Sequence, residues 1–252
     1  MTRRTADRPP ANPIEAPGTS EADWCRWLPT LRTCPVLSMQ AWTSAVVVAA
    51  HPDDEVLGAG GVISLLASAG TRLRLIAVTD GEASHPGQTD PAALASRRAR
   101  ERTEALLALG AGEAEVVRLG LPDSGLSGRE EDIASSLRNL LTGFDVCLAP
   151  WEGDVHADHE AVGRAARRAG WPTFFYPVWM WHWARPAEQR VPWRQAMRVL
   201  LPPAVAGRKR AAIDCFSSQL QPGPDGDGPV LAADFVSHFT REEEVLFPVM
   251  RP

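Results

Sequence analysis

The amino-acid sequence predicts an α/β fold with a mostly parallel sheet and helices on both faces. Short apolar segments rich in β-branched residues alternate with longer helical segments, several of which end at a glycine such as Gly70, Gly110 or Gly170. Polar residues capable of chemistry follow the apolar segments instead of interrupting them. Short strands that alternate with helices of this length are typical of a parallel sheet covered by helices.

Five strands are predicted in order along the first part of the chain, over residues 45–50, 72–79, 115–119, 144–150 and 172–178. The segments between them predict helices over residues 55–69, 90–109, 128–141 and 159–169. Pro91 in the first turn and Gly110 just past the end favour a helix over 90–109. The C-terminal third is less regular and predicts a strand over 196–201, a helix over 204–216 and a short final helix over 240–246 that begins at Thr240.

A chain of 252 residues fits one large domain, which we place at residues 41–252. Residues 1–40 precede it. Within them, residues 1–19 are rich in proline and arginine and predict a disordered lead-in. Residues 20–33 carry apolar side chains at helical spacing and predict a short helix that packs on the domain, with a partner-binding helix as the alternative.

Composition excludes several classes of protein. The 31 acidic and 26 basic residues give a net charge of −5, which disfavours nucleic-acid binding. The four cysteines form no C-x-x-C pair, as expected of reduced thiols in a cytoplasm. Prolines occupy the N-terminus where a signal peptide would be apolar, and no segment reaches the roughly 20 apolar residues of a membrane span. We therefore expect a cytoplasmic protein that acts on a small molecule, and leave homo-oligomerisation open.

Histidines and carboxylates follow two of the predicted strands. His51 and Asp54 come directly after the first strand, and His156 and His159 follow the fourth. The loops after parallel strands meet at the carboxyl edge of the sheet, where ligands bind. A hydrolytic zinc site needs three protein ligands and an open position for water. His51 and Asp54 supply two ligands, and either His156 or His159 supplies the third, although each histidine taken alone is also typical of a core or surface position.

These residues belong to a larger pattern between residues 46 and 170. It comprises the segments 50–55 (AHPDDE), 79–82 (TDGE), 119–123 (LGLPD) and 156–159 (HADH), with Arg98 and Glu101 between the second and third. The pattern resembles the LmbE-like, or PIG-L, family of zinc de-N-acetylases. That family includes N-acetylglucosaminyl-phosphatidylinositol de-N-acetylases and the deacetylases of mycothiol and bacillithiol biosynthesis. The resemblance implies a Rossmann-like sheet and a single deacetylase domain.

The resemblance also implies site roles, with His51, Asp54 and His159 as zinc ligands and Asp53 as the general base. Adjacent residues on a turn point in different directions, so Asp54 can bind the metal while Asp53 faces its water. Zinc lowers the pKa of that water to about 7, and the carboxylate takes the proton as the hydroxide attacks an amide carbonyl. The same ligands also suit iron(II) or cobalt.

His156 is predicted to give a proton to the leaving amine. Asp158 or Asp154 would then hold the imidazole in its protonated form through a charge-assisted bond. The alternative is that His156 only stabilises the oxyanion. Some relatives carry a tyrosine for that purpose at the position of Asp154, so the oxyanion role stays open to His156, His238 or a nearby arginine.

Glu82, Asp158 and His238 are predicted to contact the substrate, although the Asp-Gly-Glu segment that holds Glu82 is also typical of an ordinary turn. Tryptophan faces can stack on sugar rings, but buried tryptophans mostly fill cores. The candidates for sugar contact are Trp151, Trp179, Trp181 and Trp183.

Together these features predict a zinc-dependent hydrolase that removes the N-acetyl group from an amino sugar or glycoconjugate. One alternative is an amidase that acts on a larger amide, such as a thiol-sugar conjugate. Another is a non-catalytic sugar-binding module on the same fold. A dinucleotide-dependent enzyme is disfavoured, because His-Pro-Asp-Asp follows the first strand where the glycine turn of that motif would stand.

Overall fold

The computed structural model describes residues 13–84, 90–222 and 228–249. Seven strands form one mixed sheet: β1 (Ser44–Ala49), β2 (Arg72–Ala77), β3 (Glu115–Arg118), β4 (Val146–Pro150), β5 (Thr173–Tyr176), β6 (Met197–Leu200) and β7 (Glu243–Pro248). Their order across the sheet is β3-β2-β1-β4-β5-β7-β6. The first five strands pair in parallel, whereas β7 runs antiparallel to both β5 and β6. The predicted α/β fold with a mostly parallel sheet is confirmed.

Helices cover this sheet on both faces. The α-helices are α1 (Glu21–Trp27), α2 (Asp54–Ser68), α3 (Pro91–Ala108), α4 (Glu130–Leu141), α5 (Ala157–Ala169), α6 (Met180–Trp183), α7 (Pro203–Asp214), α8 (Ser217–Leu220) and α9 (Ala233–Ser237). Helix α7 packs on α2 and α3, whereas α4 and α5 pack on each other. All six residues of β1 are buried, and since successive strand residues point to opposite faces, both faces of the central sheet are covered.

The helix predicted over residues 240–246 is wrong, because this segment forms β7. Its polar start resembles the first turn of a helix, but residues 245–247 are buried between β5 and β6. Glu244 is buried as well and accepts a hydrogen bond from Lys209 Nζ at 2.7 Å. Pairing with two strands and with a buried lysine therefore decides the structure of this segment against its local helix signal.

The predicted packing helix at the N-terminus is present as α1, followed by a 3-10 helix over Leu28–Thr33. The Ser20 side chain caps α1 by accepting a hydrogen bond from the Asp23 amide at 3.1 Å. Residues 1–12 of the predicted lead-in lie outside the described residues. Its end is packed on the domain, since the Thr19 amide donates to the His182 carbonyl at 2.8 Å. The division into a lead-in and a domain stays a prediction.

The described helices include none that is both long enough and apolar enough to cross a membrane.

Candidate active site

Four loops meet at the carboxyl edge of the sheet around a cavity of about 140 Å³. They follow β1, β2, β3 and β4 and contribute His51, Ser84, Asp123 and His156, among others. The remaining wall comes from α3 and from segments near α6 and α9. The cavity is lined by His51, Asp53, Asp54, Leu57, Ser84, Arg98, Asp123, Ser124, His156, His159, Val178, Trp179, Gln219, Val230, Leu231 and Phe235.

The structure brings together the three predicted metal ligands His51, Asp54 and His159. His51 Nδ1 lies 3.3 Å from His159 Nε2 and 3.6 Å from Asp54 Oδ2. Asp54 Oδ1 lies 3.1 Å from His159 Nε2. The tight turn into α2 sets this arrangement, because Asp54 Oδ2 also accepts a hydrogen bond from the His51 amide at 2.8 Å. The neighbouring imidazoles hold the pKa of Asp54 below its usual range despite its burial.

Asp154 fixes the orientation of His159. His159 Nδ1 donates to Asp154 Oδ2 at 2.7 Å, which leaves Nε2 to face His51 and Asp54. Burial alone would lower the pKa of His159, but the Asp54 and Asp154 carboxylates raise it to about 9. Asp154 is itself held by the backbone amides of residues 178–180, at 2.8 to 3.1 Å. A carboxylate behind a metal-binding imidazole is a common way to fix its tautomer.

His156 has a different environment from the one expected of an acid held in its protonated form. Neither Asp154 nor Asp158 forms a hydrogen bond with it, and its buried Nδ1 has no hydrogen-bond partner among the described residues. Burial and the positive charge of His159 and His51 lower the pKa of His156 to about 3. The expectation that a carboxylate keeps this imidazole charged is therefore wrong, since Asp154 and Asp158 bind the other two histidines.

The second nitrogen of His51 faces Asp158 and Asp123. Nε2 lies 3.1 Å from Asp158 Oδ2 and 3.3 Å from Asp123 Oδ1. Burial would lower the pKa of His51, but hydrogen bonds to Asp123, Asp158 and Asp54 raise it well above its usual range. Asp158 also accepts hydrogen bonds from the Ser124 and Leu126 amides, so it ties the loop after β3 to His51.

Asp53 is buried and lines the cavity, and no described residue hydrogen-bonds its carboxylate. Burial and the adjacent Asp54 charge raise its pKa well above the usual range, against the opposing charge of Arg98. Arg98 is buried as well. Its Nη1 donates to the Gly81 carbonyl at 2.7 Å, whereas Nε and Nη2 have no hydrogen-bond partner among the described residues. An arginine with free donors thus lies beside the predicted base.

The loops of the site hold strained backbone. Among the described residues, the non-glycine positions with positive φ are Asp53 at 133°, Ser124 at 61°, Val155 at 68° and Ala187. Three of these four lie in the loops that form the cavity, and such conformations cost about 1–3 kcal/mol each. Val155 lies between Asp154 and His156 in the sequence, and its positive φ turns their side chains in different directions.

None of the three predicted substrate residues, Glu82, Asp158 and His238, lines this cavity. Glu82 Oε1 accepts a hydrogen bond from the Asp123 amide at 2.9 Å, so Glu82 supports a loop of the site from behind. His238 lies elsewhere, with Nδ1 2.6 Å from Glu21 Oε2. Asp158 contacts His51 as described, and its role with substrate stays a prediction.

The donor set fits a divalent metal. One nitrogen from each of His51, His156 and His159 lies within 4.8 Å of the others, and His51 forms a second group of this kind with Asp123 and Asp158. The buried Nδ1 of half-buried His156, which has no hydrogen-bond partner among the described residues, is an orphaned polar atom in the same place. Imidazole and carboxylate donors gathered in this way are typical of zinc and iron(II) sites.

Sequence reasoning assigned no role to Arg98 or Asp123, although both fall in the segments that carry the family resemblance. Their positions in that pattern were the feature of the sequence that could have indicated a place in the site. The apolar wall formed by Val230, Leu231 and Phe235 had no signal, because it comes from the irregular C-terminal third.

Residues 46–170 match the family model PIG-L, described as GlcNAc-PI de-N-acetylase. No curated protein matches the chain.

Several solved structures share the fold. A conserved protein from Thermus thermophilus is 29% identical, with a TM-score of 0.53 over 72% of this chain and 82% of that one. An N,N'-diacetylchitobiose deacetylase from Pyrococcus horikoshii, solved with its inhibitor, is 19% identical, with a TM-score of 0.56 over 80% of each chain. A teicoplanin deacetylase in its zinc-inhibited form is 18% identical, with a TM-score of 0.61 over 83% of this chain and 99% of that one. Identities as low as the last two show the fold alone.

Proposed function

The chain belongs to the PIG-L (LmbE-like) family through residues 46–170, and from this membership we propose that it is a zinc-dependent N-deacetylase of amino sugars or their glycoconjugates. The observation that carries the proposal is the convergence of His51, Asp54 and His159 beside a free carboxylate, Asp53, in one cavity. A non-catalytic sugar-binding module would not need that carboxylate buried next to a metal site.

We propose that His51, Asp54 and His159 hold the metal. Asp154 would keep His159 in the tautomer that presents Nε2, and Asp158 with Asp123 would orient His51 from its other nitrogen. A bound zinc ion would polarise the amide carbonyl and acidify a water molecule. Iron(II) is the alternative, and the zinc-inhibited form of the teicoplanin deacetylase is a reason to test both metals.

Asp53 is our proposed general base. Its carboxylate is free of hydrogen bonds from described residues, and burial raises its pKa toward the range in which a base accepts a proton efficiently. Arg98 is our proposed partner for the negative charge that develops on the substrate oxygen, because two of its buried nitrogens have unused N–H groups.

His156 is neutral at ordinary pH by the pKa of about 3 described above. We therefore propose that it donates a hydrogen bond from the neutral imidazole to the reacting amide, and that Asp53 returns to the leaving amine the proton it took from the water. The carboxylates of Asp154 and Asp158 bind the other two histidines and form no hydrogen bond with His156.

Acetate release tests the proposal. Metal-loaded protein should release acetate from N-acetylglucosamine or N,N'-diacetylchitobiose. In Asp53→Asn the rate should fall at least about 100-fold while the metal content stays unchanged, because general-base catalysis contributes that much or more. Absence of acetate from every N-acetylated sugar would contradict the proposal, as would an unaffected Asp53→Asn. An amine product without acetate would favour the larger-amide alternative.

A cytoplasmic location and action without a nucleic-acid partner stay predictions from the sequence, and homo-oligomerisation stays open.

A further inference from the structure

A second cavity of about 630 Å³ lies next to the candidate active site. It is lined by residues 18–22, by His182, by Asp234 and Phe235 of α9, and by His238, which follows that helix. Its volume is more than four times the 140 Å³ of the first cavity. Residues 18–22 and helix α9 lie outside the segment 46–170 that matches the family model, so the family match does not cover the walls of this cavity.

The two cavities share an aromatic wall. Phe235 lines both of them, and Trp179 of the first cavity stacks on it with ring centroids 4.5 Å apart and planes at 25°. His182 of the second cavity meets both rings edge-on, 5.8 Å from Trp179 and 6.1 Å from Phe235. The two cavities therefore adjoin at the stacked pair of Phe235 and Trp179.

The opposite side of the second cavity is polar. Glu21 binds His238 Nδ1 at 2.6 Å and accepts from Arg241 Nε at 2.8 Å, so its charge is balanced. His238 is 4% exposed, and no described residue pairs with its Nε2. The Asp234 carboxylate forms no hydrogen bond or ion pair with the described residues. These groups leave an imidazole nitrogen and a carboxylate available to a ligand.

The chemistry of this lining favours some chemical groups of a glycoconjugate over others as ligands of the second cavity. Hydroxyl groups donate well to a carboxylate and to an imidazole nitrogen. A phosphate or other anion would be repelled by Asp234, whose charge has no cationic partner among the described residues. An alkyl chain would bury these polar atoms without partners, which is costly.

We propose that the second cavity is a subsite for an uncharged, hydroxylated sugar ring joined to the N-acetylated sugar that reacts in the first cavity. The inference rests on the proposed function for the identity of the reacting group. The linked ring lies against Phe235 and His182 and donates its hydroxyls to Asp234 and to His238 Nε2. Substrate recognition by His238, expected from the sequence, thus takes place at a distance from the metal.

The test compares kcat/KM for acetate release from N-acetylglucosamine, N,N'-diacetylchitobiose and octyl N-acetylglucosaminide. The unaltered protein should prefer the disaccharide to the other two by at least about tenfold, the value of a charge-assisted hydrogen bond. Ala22→Phe places a ring in the second cavity. It should bring the ratio of kcat/KM for the disaccharide to kcat/KM for the monosaccharide close to one. Asp234→Asn should lower it by about tenfold, and the exposed Asp214→Asn serves as the matched control.

A ratio near one in the unaltered protein, a preference for the octyl glycoside, or a ratio insensitive to both cavity variants would overturn the subsite. Failure of the subsite can be distinguished from failure of the proposed function by calorimetric titration. In this experiment the chelator-treated protein is titrated with N-acetylglucosamine and with N,N'-diacetylchitobiose. If no acetate is released but the disaccharide still binds at least about tenfold more tightly and Ala22→Phe abolishes the difference, the subsite stands and deacetylation does not. Equal binding of both sugars, with or without acetate release, contradicts the subsite.

Discussion

Asp154 shows what single-residue prediction achieves and where it stops. The sequence predicts that Asp154 or Asp158 supports His156, whereas in the structure Asp154 binds His159. The choice depends on the backbone at Val155, whose positive φ turns Asp154 toward His159 and leaves His156 alone. A β-branched residue rarely adopts that conformation, so sequence patterns give no warning of it.

Replacement of Asp154 should weaken metal binding. We expect Asp154→Asn to raise the zinc dissociation constant by about 10- to 100-fold, because His159 loses the charged carboxylate that fixes its tautomer. Competition with a chromogenic chelator measures the constant, with Asp214→Asn as a control that removes an equal charge from the surface. A dissociation constant equal to that of the unaltered protein would show that Asp154 does not support the metal through His159.

At the scale of elements, the central strands and the helices between them follow from apolar segments and their glycine stops. Their ends agree with the predicted ends to within a few residues, since each signal is local. β7 was missed because its structure comes from distant partners. Glu244 bonds Lys209 and the amides of Gly61 and Val62, which anchors the strand to α2 and α7. No local window of sequence contains those contacts.

Two helical glycines make a matched pair for the packing of these elements. A Cβ at Gly163 of α5 would lie 2.7 Å from the backbone of Pro150 and Glu152, at the end of β4, so Gly163→Ala should cost about 1–3 kcal/mol of unfolding free energy. Gly207 of α7 has nothing within 4 Å of such an atom. Gly207→Ala should stabilise the protein by about 0.5–1 kcal/mol through helix propensity. Denaturant unfolding measures both, and equal effects would contradict the close approach at Gly163.

At the scale of the whole molecule, the sequence predicts that reactive loops converge at one edge of the sheet, since parallel strands leave little choice. It does not predict how the ends of the chain meet. Glu21 near the N-terminus binds His238 and Arg241 near the C-terminus, and Trp24 buries its indole beneath Trp181 with the Nε1 donating to that residue's carbonyl at 2.7 Å. Such long-range contacts join segments outside the family pattern.

The Glu21 contacts should make stability depend on pH. Burial would raise the pKa of Glu21, but bonds to Arg241 and His238 lower it from 4.5 to about 2. The folded state therefore binds this proton less readily than the unfolded chain, and the resulting stability is present above pH 4.5 and is lost as the pH falls toward 2. Glu21→Gln should lower the free energy of unfolding by about 1–3 kcal/mol at pH 7. The difference from the unaltered protein should shrink below pH 4.5, and a constant difference across that range would contradict the account.

The central claim is that a metal held by His51, Asp54 and His159 supports deacetylation, and a metal titration of activity tests it most directly. Chelator-treated protein should release no acetate from N,N'-diacetylchitobiose. Added zinc or iron(II) should restore the rate in proportion, up to about one ion per chain, as expected for a single catalytic site with three protein ligands. Asp54→Ala should not recover at that stoichiometry. Full activity in the metal-free protein, or full recovery of Asp54→Ala with one ion per chain, would contradict the account.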